Sequence, residues 1–171
     1  DGKENQAGLI KLENGIVADK QTARLQTQDF STEDLKLPKD VTIVSYEFTP
    51  SGQLLAFVLE SGKPLRAVKL TVNEERVVKI ASETQTKIKD RIFFKIDGKK
   101  IYDLLLKPLD LNSSHIVIVP DKQLWRIPFH ALSPDGNKYL IERNTISYSP
   151  SVYLLKQQLS SEPPRRRTIQ I

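Results

Sequence analysis

The chain contains no cysteine. Disulfides, thiolate metal sites and a cysteine nucleophile are therefore excluded within its 171 residues. Methionine is missing as well, even at position 1, which is Asp1. The chain is accordingly read as a mature product, a proteolytic piece or a cut segment. No apolar run approaches the roughly 18 residues that a spanning helix needs. No signal-peptide pattern opens the sequence either, so no membrane partner is expected and the expected location is cytoplasmic. With two histidines, His115 and His130, an acid–base or metal site has few candidates. Glycine is scarce: Gly52, Gly62, Gly98 and Gly136 stand alone as turn signals, and neither a phosphate loop nor a dinucleotide fingerprint can be assembled from them.

What is present describes a globular chain, 39% hydrophobic and 27% charged. The net charge of +5 is unevenly spread, since residues 1–40 hold six Lys/Arg against eight Asp/Glu. The basic excess lies in residues 79–107 and in Arg165, Arg166 and Arg167. Interleaving with Glu83, Asp90, Asp97 and Asp103 makes the first of these a solvated helix face. Nucleic-acid binding is disfavoured, because no stacking aromatics accompany the basic residues.

Residues 1–38 are weakly patterned and are expected to form an N-terminal arm, or a connection from an upstream domain. From Val41 the pattern sharpens. Residues 41–48, 53–60 and 65–70 are β-rich and separated by the turns Thr49-Pro-Ser-Gly52 and Ser61-Gly-Lys-Pro64, which predicts a three-stranded antiparallel meander. The middle strand is apolar on both faces and should be covered on each. Val77, Ala81, Thr84, Ile88 and Ile92 then recur at helical spacing. Thr71 with Glu74 offers a capping box, and Asn73 an alternative N-cap. A second helix is expected over 101–107, ended or kinked at Pro108. The apolar run 115–119 suits a buried central strand. Residues 139–142 and 145–148 are expected strands, 152–159 a helix capped by Ser149 or Ser151, and 168–171 the opening of a further strand. The fold class is α/β, with α+β as the alternative.

Each group with chemical potential also has a plainer role. His130, Ser133 and Asp135 are the residue types of a hydrolase triad, but they crowd into six residues leading to a turn, where turn chemistry explains them better. His115 opens an apolar strand and is expected to be satisfied by a backbone group. Trp125 is expected in core or interface packing. No catalytic, cofactor-binding or metal residue is assigned within the chain.

The order of the segments resembles a known family. Leu35-Lys-Leu-Pro-Lys-Asp-Val-Thr-Ile-Val-Ser-Tyr46 resembles the opening strand of CHAT domains, caspase-like domains often found after TPR repeats, and Leu54-Leu-Ala-Phe-Val-Leu59 resembles their second. Ile101-Tyr-Asp-Leu-Leu-Leu-Lys-Pro-Leu109 resembles their "LYDLLLxPL" helix. His115-Ile-Val-Ile-Val-Pro-Asp121 with Leu124-Trp-Arg-Ile-Pro-Phe129 resembles their "LVIVPDGxLxxLPFxAL" block, with Lys122 where the family has glycine. Tyr139-Leu-Ile-Glu-Arg143 and Ile146-Ser-Tyr-Ser-Pro-Ser151 resemble "YLIExxxISYxPS". The resemblance spans residues 31–171 and implies the amino-terminal half of a caspase-like fold, over residues 39–171. It implies a His and Cys dyad downstream of the Pro/Arg-rich segment, so neither His115 nor His130 inherits a catalytic role. The implied partners are the remaining half of the CHAT domain, TPR repeats in the same protein, and a protein partner or substrate of the parent. A self-contained, non-enzymatic interaction module is the alternative from the residues alone.

Overall fold

A computed structural model describes residues 37–90 and 94–160. Residues 1–36 of the arm expected over 1–38, Ile92 and the expected strand at 168–171 lie outside the described residues.

Three β-rich segments form β1 (Val41–Phe48), β2 (Gln53–Glu60) and β3 (Arg66–Asn73), an antiparallel meander. Its two turns place Gly52 and Gly62 at φ +79° and +70°, a left-handed conformation that costs glycine nothing. β4 (His115–Val119) and β5 (Thr145–Tyr148) join the same sheet, because β1 pairs with β4, and β4 with β5, in parallel. The strand order is β3-β2-β1-β4-β5. The class is α/β, with the meander and the later strands in one mixed sheet.

One face of this sheet carries the core. Val44, Tyr46, Leu54, Ala56, Leu70, Ile116 and Ile118 belong to one buried cluster. The expectation that β2 is covered on both faces is met only in part: Leu54, Ala56 and Val58 are buried, whereas Leu55 and Phe57 remain half-buried. β4 is buried from Ile116 onward on both faces, as a continuous apolar run in a parallel setting should be.

Helix α1 (Glu74–Lys89) begins at Asn73, whose Oδ1 accepts a hydrogen bond from the Arg76 amide at 3.0 Å. The Thr71–Glu74 capping box is not the cap, since Thr71 sits inside β3. Val77, Ile80, Ala81 and Thr84 are buried, but Ile88 is 49% exposed, so the buried stripe ends one turn sooner than the spacing implied. Helix α2 (Lys95–Leu105) starts six residues earlier than predicted and gives way to a 3₁₀ turn, Lys107–Leu109, which takes in Pro108. Gly98, which looked like a turn signal, lies buried in the first turn of α2. A Cβ there would stand 3.2 Å from the Ala131 carbonyl oxygen and 3.4 Å from the Ser133 nitrogen. Glycine at this position lets the helix close against the chain that follows β4. Lys87 and Asp97 form an ion pair between α1 and α2, and that pairing lowers the pKa of Asp97.

The link from β4 to β5 runs through 3₁₀ turns at Lys122–Arg126, Phe129–Ala131 and Leu140–Glu142. The last replaces the strand expected at 139–142. The Glu142 carboxylate accepts the Tyr139 amide at 2.6 Å, and the Asn144 amide reaches the Leu140 carbonyl at 2.9 Å. These local bonds use the backbone groups that a ladder would need. Helix α3 (Val152–Ser160) follows β5, with the Ser151 hydroxyl accepting the Leu154 amide at 3.1 Å.

Candidate functional site

Ser133 and Asp135 fall where turn chemistry puts them. The Ser133 hydroxyl is buried and donates to the Lys138 carbonyl at 2.8 Å. Asp135 accepts the Asn137 and Lys138 amides at 2.8 and 2.9 Å and pairs with Arg143. Those two amides are the main reason its pKa falls to about 2. His130 is exposed and sets its Nδ1 3.2 Å from the Tyr148 hydroxyl. Ser133 and Asp135 brace the turn, while His130 is engaged with Tyr148. His115 is satisfied by a side chain where a backbone group was expected: its Nε2 lies 2.7 Å from the Ser147 hydroxyl across the β4–β5 pair.

The structure instead gathers apolar chemistry at β5. Its register with β4 sets Ile146 opposite Ile116 and Tyr148 opposite Ile118, on the core face. Behind Tyr148 the aromatic contacts run inward. Phe129 meets Tyr148 edge-on at 6.4 Å and stacks on Tyr46 at 5.5 Å. The Tyr46 hydroxyl, fully buried, donates to the Leu105 carbonyl at 2.9 Å, and burial holds its pKa well above the phenol range. Outward, Trp125 lies 6.5 Å from Tyr148 and His130 6.3 Å.

This ladder opens to solvent at its outer end. Trp125 is 49% exposed, Tyr148 38% and Ile141 57%, with Tyr153, Leu154 and Leu159 of α3 also exposed. Trp125 is thus not a core residue, contrary to the first of its two expected roles. Burial raises the Tyr148 pKa, opposed by hydrogen bonding to the backbone of His130 and Phe129. Among the described residues β5 pairs on one side only. Exposed apolar surface beside a sheet edge is the general signature by which interaction sites are sought, and it makes this end of the sheet the candidate site. Sequence reasoning missed it because exposure of Trp125 and Tyr148 depends on which strand ends the sheet; the uncharged Thr-Ile-Ser-Tyr run was the available signal.

A hollow of about 70 Å³ lies between α1 and α2, floored by Ile80, Phe94, Ile101 and Leu104 and rimmed by Arg76, Lys87 and Asp97. It is small and charge-mixed. Among the described residues no group of three or more His, Cys, Asp or Glu side chains could hold a metal ion, and no helix is long and apolar enough to cross a membrane.

Residues 95–171 match the family model of the CHAT domain. The match begins at α2 and includes β4, β5, the aromatic ladder beyond Tyr46, and α3, so the resemblance holds over the part of the chain that carries the site. The opening blocks of that resemblance, at 35–46 and 54–59, lie before the matched span. A search of curated proteins returns no match to the chain.

Proposed function

From the match of residues 95–171 to the CHAT-domain model, we propose that the chain is the amino-terminal, non-catalytic half of a caspase-like cysteine peptidase domain. It serves as a scaffold against which the remaining half, carrying the catalytic His and Cys, packs. The single observation behind this is β5 itself: among the described residues an uncharged strand paired on one side only, backed by exposed Trp125, Tyr148 and Ile141. A finished domain covers or charges such an edge. Within the parent, a His-activated Cys thiolate would attack a peptide carbonyl. This chain would contribute the sheet and the Tyr46–Phe129–Tyr148 ladder that backs the contact. TPR repeats and a protein substrate belong to the same proposal.

The test joins residues 1–171 to the sequence that follows in the parent. The longer protein should cleave peptides, lose activity when its catalytic Cys is replaced by Ala, and hold a monodisperse fold. The 1–171 chain alone should bind an apolar dye and self-associate with rising concentration. A 1–171 chain that stays monomeric, binds no dye and unfolds in one cooperative step would instead mark a self-contained interaction module.

A further inference from the structure

A strand can be covered by a helix, a loop or another strand, and the geometry of β5 discriminates among these. The Thr145 amide donates to the Ser114 carbonyl at 2.8 Å, and the Ser149 amide to the Ile118 carbonyl at 3.0 Å. Strand geometry alternates backbone direction with period two. Ser147 therefore also faces β4, while the N–H and C=O of both Ile146 and Tyr148 point away from the sheet. Two donors and two acceptors are thus presented on the open side, in the spacing of a ladder. A helix or an apolar loop laid over them would leave them dry and unbonded, at a cost comparable to that of lost hydrogen bonds. A strand would satisfy all four.

The two faces of the edge differ in chemistry. Ile146 and Tyr148 share the core face with the Trp125 ledge, whereas Thr145 and Ser147 share the other with His115. No residue of β5 is charged. A charge brought in beside Ile146 or Tyr148 would lose its water against apolar neighbours without a partner.

We propose that β5 takes its partner by β-strand addition. The incoming segment is extended and uncharged and alternates apolar, polar, apolar. It bonds to the Ile146 and Tyr148 backbones, with its two apolar side chains on the Trp125–Tyr148 side and the polar one beside Ser147. This rests on the scaffold reading above and names the form the contact takes within it.

Two readouts separate the levels. Trp125 is the sole tryptophan in the 171 residues, so its fluorescence reports on the ledge provided any tryptophan in the added sequence is replaced by Phe. Amide hydrogen exchange at Ile146 and Tyr148 reports on the backbone. In dilute 1–171 chain these two amides should exchange freely. In the longer parent protein they should slow by at least about a hundredfold, with a blue shift of Trp125 emission. Introducing Thr145→Lys at the exposed start of the edge should reduce that protection without unfolding the sheet. A blue shift with no change at the two amides would overturn strand addition and leave the scaffold reading standing. Neither change would overturn both. Protection already present in the dilute 1–171 chain would also overturn the inference, since the edge would then be filled without the rest of the parent.

Discussion

The two ends of the sheet meet the problem of an unpaired edge in different ways. β3 spans eight residues and carries Arg66 and Lys69, and its pairing with β2 is interrupted by a register shift at Gln53 and Leu55. Arg66 donates to the Leu109 carbonyl at 2.9 Å and lies 3.6 Å from Glu60, and α1 and α2 both contact the strand. Charge, irregularity and cover are the devices that keep an edge from recruiting another chain. β5 has none of them. It is four uncharged residues long, rests on the Leu140–Glu142 turn, and adjoins exposed aromatics. The contrast teaches that the exposed apolar surface is local: among the described residues one end of the sheet is charged and covered, and the other is neither.

The largest effect should come from the root of the open end. Phe129 is fully buried between Tyr46 and Tyr148, so Phe129→Ala should cost about 3–5 kcal/mol in urea unfolding. Amide exchange in that variant should loosen β5 before β3. Uniform loosening across both edges would mean that the two ends are not independently supported.

Exchanging the character of the edges tests the comparison directly. Thr145→Lys should lower self-association of the 1–171 chain, and Lys69→Ile should create a second associating edge, each by about tenfold in the association constant, roughly 1.4 kcal/mol. Sedimentation across a concentration series reads both. If Lys69→Ile leaves association unchanged, charge is not what guards β3, and the register shift or the helices must be.

Acid should act on the open end through the turn that leads into β5. Asp135 has a folded pKa of about 2, below the unfolded carboxylate value near 3.9. A depressed carboxylate stabilises the fold above its unfolded pKa, and that contribution fades as pH falls from about 4 toward 2. Asp135→Asn should therefore lower stability at pH 7 and flatten the stability–pH curve in that window, the two forms converging as pH falls toward 2. An unchanged acid limb would show that the turn is dispensable to β5.

Much of this contrast was legible in the residues, and the remainder failed for physical reasons. The bounds of β1, β2 and β4 follow from β-rich runs closed by turn residues. The early start of α2 was hidden by Gly98, which is there to admit the Ala131 carbonyl, a tertiary contact with no local signature. The 3₁₀ turn at Leu140–Glu142 was mistaken for a strand because three or four apolar residues have no resolvable period, and a side-chain bond from Glu142 decided the matter. The turn chemistry of Ser133 and Asp135 could be read from spacing alone. The apolar site could not, because Trp125 is core or surface according to whether a strand lies beyond β5.

The smallest effect should appear where the two ends are tied together. Glu74 opens α1 immediately after β3, and Lys122 begins the turn after β4; its Nζ reaches both Glu74 carboxylate oxygens, at 2.9 and 3.0 Å. That bond raises the Lys122 pKa. The residue nevertheless sits at φ +44°, left-handed backbone that glycine adopts without steric cost. The resembling family has glycine there. Lys122→Gly relieves the backbone but gives up the exposed ion pair and adds freedom to the unfolded chain, so Tm should stay within about 2 °C of the parent chain. Lys122→Ala gives up the pair and keeps the strain, and should lower Tm by about 2–4 °C. If Ala proves as stable as Gly, strain at this position is negligible and the ion pair alone explains the lysine. If Gly falls as far as Ala, the tie between the two ends matters more than the backbone that carries it.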